Sequence, residues 1–579
     1  MMLTQNQNRS ELSELSRVSK WSKFSKFKTL GAGAAVLIVG AASYGYLYLR
    51  GVFSDVSPLA SAKLVPDEAL VAGVMSTDGK AWSKLQQFGT TEAQEIITKS
   101  IVNLQQQILA ENTKIDYAKD IQPWLGSVMF ALLPSNPTQV AATSATSEAA
   151  NYLVVIGIKD KISALSFATK LKKSSGGEKR ESNYKGVKIW ESASKNQNTY
   201  IALLNEHLVI SQQKKSLEAA IDTFKGEPSF ADKVGAKLML ENGIDLPNEI
   251  AEVYVPESQN AIAEVVNKYG SISQLTPASM QELKNMRSVV MGVGIDNLGI
   301  RMKAIGEIKK EPIKQAEFQP KPGKMVSKFP LNTVALVSGY GISQGWKEAI
   351  AKAKKNPQFN AQVNGIRNYL KENVNLDLDK DILPWMDREF AVGAFPATEG
   401  VLAPMGFSAA LVVKTSDRQA AETALKKLDK LAQTNSMNID RRHIQGKPVT
   451  EWSNDRGVLL GHGWLDKESM FVAVGRPIVE AMASSSKTLE KNQAFQTVTN
   501  SLPKPNTGSF YVDMDTVMSV FNSNFLLNLQ LPLDANTCAI LNSIRGIGVT
   551  ANKVNPSTSQ MEIVFALKPK EQQSLASGQ

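Results

Sequence analysis

KDIQPW, residues 119–124, and KDILPW, residues 380–385, are two copies of one phrase within a single chain. Each copy stands between a segment with helical periodicity and a strand-like apolar run. Asp120 is predicted to cap a short helical turn that tolerates the proline, and Trp124 is predicted to pack into the core. Because the phrase recurs in the same context, we interpret it as a mark of a duplicated fold and not as a functional site.

Further segments repeat in the same order along the chain. The matched pairs are STDGKAWSKL with GISQGWKEAI, YKGVKIWES with IQGKPVTEWSN, AEVYV with GSFYV, and SVVMGVGID with SIRGIGVT. A fixed period of this kind indicates a repeated structural unit. The sequence therefore predicts two homologous modules, residues 64–308 and 329–568, joined by a Lys/Pro-rich linker at 309–328 and followed by a flexible tail at 569–579.

Within a module the pattern is typical of an α+β fold. Strand-like runs rich in β-branched residues include residues 69–76, 127–133 and 152–158, and apolar residues at helical spacing predict a helix over 91–111. Asp160 and, in the second module, Asp417 are predicted to cap further helices. Strands occur in runs instead of alternating strictly with helices, so we expect a mostly antiparallel sheet with packed helices in each module.

The N-terminus has the pattern of a membrane anchor. Residues 30–49 contain no charged side chain and are long enough to span a hydrocarbon core, while residues 1–29 are basic. The positive-inside rule predicts a single-pass protein with residues 1–29 in the cytoplasm and the body outside it, in a periplasm or thylakoid lumen. A cleaved signal peptide, with cleavage after a small-residue motif at 41–43 or 60–62, is the alternative interpretation.

The chain resembles a known family on the strength of these motifs. An N-terminal anchor, LVPDEALVAGV at 64–74, and KDIQPWLG at 119–126 followed by a strand are similar to a bacterial, membrane-anchored family designated domain of unknown function three-three-five-two. The resemblance covers nearly the whole region after the anchor and implies no activity and no site residues. The second module departs from the motif at Met386 and Asp387, where the first module has Leu125 and Gly126.

Composition excludes several classes of function. The formal net charge is +10, and about half of it lies in the first fifty residues, so the body lacks the concentrated basic surface of a nucleic-acid binder. A single cysteine, Cys538, excludes an internal disulfide framework and is interpreted as a buried thiol. Three histidines, His207, His443 and His462, make a histidine-rich zinc site improbable. We predict no metal, no cofactor and no nucleic-acid partner.

Local motifs give little evidence of catalysis. The acidic phrase NVNLDLDKD, residues 373–381, has a spacing similar to a calcium loop, but it lacks the required glycine and glutamate, and a solvated turn is the preferred interpretation. GHGW, residues 461–464, is interpreted as a strand containing His462, because no nucleophile motif accompanies it. The glycines of GVGID, 292–296, and GIGVT, 546–550, are interpreted as places where another backbone approaches closely.

Two functional hypotheses remain, with a third in reserve. The first is a non-enzymatic binding or scaffold module on which a protein or lipid partner docks. This hypothesis is favoured because the duplicated sequence shows no cluster of polar residues that is present in one module and absent from the other. The second is an extracytoplasmic hydrolase with a groove between the modules that uses His462 and nearby acids. The third is a carrier of a lipid or another apolar ligand. The paired tryptophans are interpreted as core residues, although exposed aromatic rings also occur in binding hot spots.

Overall fold

The computed structural model describes most of the chain after residue 56. The described residues are 57–99, 116–134, 151–174, 179–194, 197–233, 236, 240, 243–256, 286–308, 325–353, 357–400, 402–484, 486–504, 508–520, 534–555 and 557–570.

Twenty strands in the described residues form one sheet, and every neighbouring pair is antiparallel. The first ten are β1 (Val71–Met75), β2 (Leu125–Leu132), β3 (Tyr152–Ile158), β4 (Lys179–Tyr184), β5 (Val187–Ser194), β6 (Gln197–Leu204), β7 (His207–Ser211), β8 (Glu249–Pro256), β9 (Met286–Ile295) and β10 (Gly299–Ile308). The second ten are β11 (Ala335–Tyr340), β12 (Glu389–Pro396), β13 (Phe407–Lys414), β14 (Asn438–Ile444), β15 (Lys447–Asn454), β16 (Gly457–Trp464), β17 (Ser469–Val474), β18 (Gly508–Asp513), β19 (Ile544–Asn555) and β20 (Thr558–Leu567).

The order of the strands across the sheet reads the same from both ends. From one edge the first ten strands lie in the order β4, β5, β6, β7, β3, β2, β1, β8, β9 and β10. From the other edge the second ten lie in the order β14, β15, β16, β17, β13, β12, β11, β18, β19 and β20. The two series meet where β10 pairs with β20 at the centre.

Eleven labelled helices pack on this sheet in the described residues, and residues 91–99 are helical as well. They are α1 (Pro58–Ala62), α2 (Gly79–Leu85), α3 (Lys161–Ser174), α4 (Lys214–Phe224), α5 (Ile342–Ala353), α6 (Pro357–Val374), α7 (Arg418–Thr434), α8 (Arg476–Ser484), α9 (Gln493–Thr499), α10 (Met514–Val520) and α11 (Ala535–Asn542). The predicted caps are confirmed: the Asp160 carboxylate accepts from the Ile162 N–H, and Asp417 accepts from the Ala420 N–H. Of the helix predicted over 91–111, only residues 91–99 are described.

One face of the sheet, which we call the inner face, carries the two large cores. In the first half, α1 and α4 pack on β1, β2, β3 and β8, with Met129, Leu217 and Tyr254 fully or almost fully buried. In the second half, α8 and α9 pack on β11, β12, β13 and β18, with Phe395 and Tyr511 at the centre. Burial of these side chains removes large apolar areas from water and is the main force that holds the helices on the sheet.

The opposite face, the outer face, is covered in separate places. Near one end α3 packs over a cluster that contains Trp124 and Trp190, and near the other α7 packs over a cluster that contains Trp385. Closer to the centre, α2 packs on β9, and α10 and α11 pack on β19 and β20. Between these helices, the described residues leave the central strands uncovered on the outer face.

The predicted α+β class with an antiparallel sheet is confirmed by this architecture. The boundaries at 64–308, 309–328 and 329–568 stay predictions, and residues 309–324 of the linker and 571–579 of the tail lie outside the described residues.

The predicted localisation requires correction. The proposed span, residues 30–49, lies outside the described residues. Among the helices that the structure describes, none combines the length and the apolar character needed to cross a membrane. The longest, α6, has 18 residues and carries Arg367, Lys371 and Glu372, whose charges belong in water. The single-pass localisation predicted from residues 30–49 is contradicted by this finding.

Candidate functional site

The two Asp-x-x-Pro-Trp phrases form the same local structure. Each contains one π-helical turn, Tyr117–Ile121 in the first copy and Leu378–Ile382 in the second. The Trp124 Nε1–H donates to the Asp120 carbonyl oxygen at 2.7 Å, and the Trp385 Nε1–H donates to the Asp381 carbonyl oxygen at 3.1 Å. Both rings are buried, so the predicted core position of Trp124 is confirmed.

The carboxylates of these turns bind backbone groups. The residue that caps the first turn is Asp116, whose Oδ1 accepts from the Ala118 and Lys119 N–H groups. Asp120, predicted as the cap, instead reaches back to accept from the Asp116 N–H at 2.8 Å. The prediction failed because a π-helical turn places the capping position four residues before Asp120. Asp377 and Asp381 repeat both contacts in the second copy.

The acidic phrase at 373–381 is held by neighbouring side chains. Asp379 accepts two hydrogen bonds from the Arg367 guanidinium, at 2.6 and 3.0 Å, and one from the Trp346 Nε1–H at 2.7 Å. The hydrogen bond from Arg367 keeps the pKa of Asp379 below its ordinary value, against the effect of burial. In the described residues no three His, Cys, Asp or Glu side chains are grouped so as to hold a metal ion. The phrase therefore functions as a bonded turn in this structure.

His462 lies in β16 on the outer face, beneath α7. Its Nε2 is 2.8 Å from Asp429 Oδ1, and the same carboxylate oxygen accepts from the Trp452 Nε1–H at 2.8 Å. His462 and Asp429 are both buried, and the Trp452 ring meets the imidazole edge-on. In the part of the chain that the structure describes, no hydroxyl or thiol bonds to His462. The residue at the matching register of β6 in the first half is Leu203, so this polar cluster occurs in one half only.

Asp429 remains ionised although it is buried. Burial raises the pKa of the Asp429 carboxyl, but the hydrogen bond and charge of His462, the bond from Trp452 and the charge of Arg441 outweigh it, and the pKa lies below its ordinary value. A buried charge that accepts two hydrogen bonds fixes the position of α7 on β15 and β16. We therefore assign His462 and Asp429 a positioning role for that helix.

This assignment predicts a moderate loss of stability in Asp429→Asn. The asparagine keeps the shape of the side chain but loses its charge, so the hydrogen bonds from Trp452 and His462 become weaker. We therefore expect the free energy of unfolding at pH 7 to fall by about 2 kcal/mol. The folded-state pKa of Asp429 is lowered, so its contribution is present above pH 4 and is lost as pH falls through that pKa. In urea unfolding, the difference in free energy of unfolding between Asp429→Asn and wild type should be smaller at pH 3 than at pH 7. Asp440→Asn, at an exposed carboxylate, is the control, and an equal loss there would contradict the assignment.

The other singled-out residues lie apart from this cluster. His207 lies on β7, His443 is exposed on β14, and Cys538, predicted to be buried, is partly exposed on α11. The predicted close backbone approach is confirmed at Gly294, where a Cβ atom would lie 2.5 Å from the Pro247 carbonyl oxygen, whereas at Gly292 it would meet the Ile244 side chain at 2.1 Å.

Two glutamates of β8 form an acidic pair that the sequence analysis missed. Glu252 is 8% exposed and hydrogen bonds to Glu249, and its Oε1 has no partner in the described residues. Burial, the bond to Glu249 and the charge of Glu249 raise the pKa of Glu252 to about 8, against a bond from the Ile244 N–H. Glu252 is therefore uncharged at neutral pH. Both carboxyl groups lie against Gly243, where a Cβ atom would be 3.4 Å from Glu249 Oε2.

Glu249 also lines a groove of about 490 Å³ on the first half. Its other polar walls come from Ser76, Asp78, Ser127 and Lys159. His462 is not among the residues that line this groove, so the structure does not place the predicted histidine in it.

Arg301 ties the two halves together where β10 meets β20. Its guanidinium is buried and pairs with Asp296 at 2.8 Å and with Glu562 at 3.1 Å, and it donates to the Ser501 carbonyl oxygen at 3.4 Å. Asp296 belongs to the first half, whereas Glu562 and Ser501 belong to the second. The pairing fixes the register of the central strands, because a shift would leave a buried charge without a partner.

The uncovered part of the outer face is an apolar strip. Two rows of registered neighbours cross the central ten strands, and together they define the strip. The first row is Phe130, Gly73, Val253, Met291, Ala304 and Met561. The second row is Val392, Val337, Phe510, Val549, Ile563 and Met302. With strands about 4.8 Å apart, the strip is roughly 43 Å long.

Strip residues are exposed to an unusual degree for side chains of central strands. Phe130, Met291, Met561, Val337 and Val392 are each between 40 and 44% exposed. The chain neighbours of Phe130, Met291 and Val392 on the inner face are buried, so β2, β9 and β12 are apolar on both faces. An antiparallel sheet with one face in water normally alternates apolar and polar residues. The continuous apolar runs SVMFALL and SVVMGVGI lack this alternation. Their sequence therefore indicates that the second face of the sheet also needs to be covered.

Fold and strip together define this molecule as an α+β protein built on one antiparallel sheet with an apolar outer surface. The family model described as "Protein of unknown function (DUF3352)" matches residues 30–567, so the chain belongs to that family, as the sequence resemblance predicted. No curated protein gives a significant match to the chain.

Similarity to solved structures is remote. Crystal forms IV, III and I of TP0453 share 11%, 12% and 11% sequence identity with the chain. They cover 42%, 44% and 44% of this chain and 79%, 81% and 81% of their own, with TM-scores of 0.26, 0.26 and 0.25. TM-scores this low support no conclusion about a shared fold or function.

Proposed function

We propose that this protein is a non-enzymatic binding or scaffold module whose docking surface is the apolar strip. The observation that carries the proposal is the exposure of large apolar side chains on five of the ten central strands, Phe130, Met291, Met561, Val337 and Val392. Contiguous exposed apolar patches of several hundred Å² on a soluble domain mark interaction sites.

The physical chemistry of the strip supports a binding role. None of its twelve residues has a charged side chain or a side chain with a hydroxyl, amide or amine group, so a ligand would be held by burial of apolar area alone. Covering a large apolar side chain fully is worth about 1.5–3 kcal/mol, and the five most exposed residues retain close to half of that. Methionine side chains at three strip positions adapt to surfaces of irregular shape. Such a surface suits docking better than it suits chemistry.

We also infer that the chain consists of two homologous modules. The strand order that reads the same from both edges, and the two identical Asp-x-x-Pro-Trp turns, support this inference. Duplication of one module, followed by pairing of its last strand with that of its copy, would produce this sheet. The strip then spans both halves and is about twice as long as either module alone could offer, which favours a scaffold.

The hydrolase alternative has less support. Its central residue, His462, hydrogen bonds to Asp429 beneath α7. A catalytic histidine needs a nucleophile or an activated water within hydrogen-bond reach. The carrier alternative uses the same strip, with an acyl chain as the occupant. The cross-linking experiment below distinguishes this alternative from a scaffold that binds a protein.

Site-specific photo-cross-linking tests the proposal. A photoreactive phenylalanine derivative is placed at Phe130, Met291 or Val392 of the full-length protein in cells that make it naturally, and adducts are identified by mass spectrometry. We expect the same protein adduct from all three positions, because they lie on one surface. The identified protein should then bind the purified wild type. It should bind Phe130→Gln/Val392→Gln roughly tenfold more weakly, because each substitution removes about half of the apolar burial that a large side chain provides.

Val554 is the matched control because it is apolar and 59% exposed but lies at the tip of the β19–β20 hairpin. The derivative at Val554 should give no such adduct, and Val554→Gln should bind the partner like wild type. If the strip positions give adducts with lipid alone, the scaffold proposal is wrong and the carrier alternative is favoured. If Val554 gives the same adducts as the strip positions, both the scaffold proposal and the carrier alternative are wrong.

A further inference from the structure

The acidic pair of Glu249 and Glu252 faces a space that a glycine leaves free of a side chain. Gly243 has a φ of +65°, and a Cβ atom built on it would lie 3.4 Å from Glu249 Oε2 and 3.7 Å from Glu252 Oε2. Apart from the chain neighbours of Gly243, no other atom of the described residues comes within 4 Å of that position. Oxygens of both carboxyl groups therefore border the same space.

Glu252 also has bonding capacity that the protein does not use. Its side chain is 8% exposed, and its Oε1 atom is buried without a hydrogen-bond partner in the described residues. A buried oxygen of this kind costs free energy, because it has lost its hydrogen bonds to water. Two carboxyl groups in contact also repel each other unless a proton or a cation lies between them. A bound cation would bond to the carboxyl oxygens and supply the positive charge.

The second half of the sheet shows that the fold does not need an acid at this position. AEVYV at 251–255 matches GSFYV at 508–512, so the residue of β18 that corresponds to Glu252 is Ser509. The hydroxyl groups of Ser509 and its neighbour on β11, Ser338, hydrogen bond to each other at 2.7 Å. The same strand position is thus filled there without a buried carboxyl group. Costly groups that a fold can do without are typical of functional sites.

From these observations we infer that Glu249 and Glu252 bind a hard divalent cation, Mg²⁺ in particular, in the space beside Gly243. Oxygen atoms are the ligands that Mg²⁺ prefers, and Mg²⁺ usually keeps several waters while it takes one or two carboxylates from a protein. This preference fits a pair that no third His, Cys, Asp or Glu side chain of the described residues joins to form a metal-binding group. Water completes the coordination of the ion.

The groove of about 490 Å³ gives the cation access to the pair, because Glu249 is one of its lining residues. The other charged residues of its lining are Asp78 and Lys159, whose charges are opposite, so the ionised Glu249 leaves the groove with a net negative charge. A negative groove raises the local concentration of cations. The groove and the pair share no residue with the strip, so this inference is independent of the proposed docking function.

Titration of the chelator-treated, full-length protein with MnCl₂ tests the inference. Mn²⁺ suits the same oxygen ligands as Mg²⁺, and the electron paramagnetic resonance signal of free Mn²⁺ decreases when the ion binds to protein. At pH 7.5 and physiological ionic strength we expect one strongest site per chain, with a dissociation constant below about 1 mM. Added MgCl₂ should displace Mn²⁺ from this site and restore the signal.

Glu249→Gln and Glu252→Gln should each raise the dissociation constant of this site at least tenfold, because each substitution removes a charged ligand. Glu307→Gln is the matched control, since it removes the same charge from an exposed position on β10, and it should bind Mn²⁺ like wild type. Circular dichroism melting curves show whether each variant is folded. A wild type without such a site, an unchanged constant in either folded variant of the pair, or an equal loss in Glu307→Gln would overturn the inference.

Discussion

Glu252→Gln is expected to stabilise the protein at alkaline pH by on the order of 4 kcal/mol relative to wild type. The wild-type carboxyl lies in the inner-face core, where burial and the neighbouring Glu249 raise its pKa from 4.5 to about 8. Ionising it above that pH places a charge next to a second carboxylate inside the protein. Glutamine has nearly the same shape but cannot ionise, so the variant avoids that cost.

The direction of the pH dependence follows from the raised pKa. Below about pH 4.5 Glu252 is protonated in both the folded and the unfolded protein, and it adds no pH dependence. Between pH 4.5 and 8 the unfolded chain loses the proton while the folded protein keeps it, so the wild type loses stability as the pH rises. Above pH 8 both states are ionised and the loss is complete.

Urea unfolding at pH 5, 6, 7, 8 and 9 measures this effect. The difference between Glu252→Gln and wild type should grow across this range and become constant above pH 8. Glu307→Gln is the matched control, because Glu307 is exposed on β10 and should give no growing difference. Parallel curves for wild type and Glu252→Gln would show that Glu252 ionises normally and that the acidic pair does not exist.

The acidic pair could not be predicted from the sequence because it depends on an irregularity of β8. Residues three apart in a regular strand point to opposite faces of the sheet. The pairing of β8 with β9 shifts register between Glu249 and Ala251, and this bulge brings Glu249 to the side of Glu252. Loop residues 243–248 then cover both groups. No pattern of residue types in EIAEVYVP indicates a bulge at that position.

Strand prediction succeeded where apolar runs mark the strands and failed at the edges of the sheet. Residues 152–158 are predicted and observed as β3, and the run at 127–133 lies within one or two residues of β2. β4 (Lys179–Tyr184) was missed because its sequence, KRESNY, is almost entirely polar. An edge strand pairs on one side only, so polar side chains are favoured there and remove the alternation on which prediction depends.

The strip was beyond sequence analysis for a different reason. Gly73 and Phe130 lie in runs that were predicted as strands, but which face each residue points to and which strands are neighbours depend on the strand order. That order brings Val253 of β8 beside Gly73 of β1, about 180 residues earlier in the chain. Only when both the neighbours and the covering helices are known does the apolar outer face become visible as one surface.

Trp124→Ala is expected to lower the free energy of unfolding by about 3–5 kcal/mol, the range for removal of a large aromatic side chain from a core. Trp124 is 3% exposed, packs against Phe167 of α3 with ring centroids 5.4 Å apart, and shares its cluster with Trp190. Its removal leaves a cavity between α3 and the outer face. The Asp120 carbonyl oxygen also loses its donor.

Trp124→Phe separates these two contributions. Phenylalanine keeps an aromatic ring in the site but cannot donate to Asp120, so we expect a smaller loss of about 1–2 kcal/mol. Urea unfolding monitored by circular dichroism measures both variants. A loss below about 1 kcal/mol for Trp124→Ala would place the ring on the surface and reopen the interpretation of KDIQPW as a binding phrase.

Trp385→Ala extends the test to the second half, because Trp385 is equally buried and donates to the Asp381 carbonyl oxygen as Trp124 does to Asp120. A duplicated fold predicts losses of the same size, about 3–5 kcal/mol, at both positions. The shape of the unfolding curve adds a second result. Because β10 pairs with β20 and the buried Arg301 joins Asp296 to Glu562, we expect either substitution to shift one common transition. Two separate transitions, each sensitive to only one of the tryptophans, would contradict a continuous sheet and would divide the strip between two independent halves.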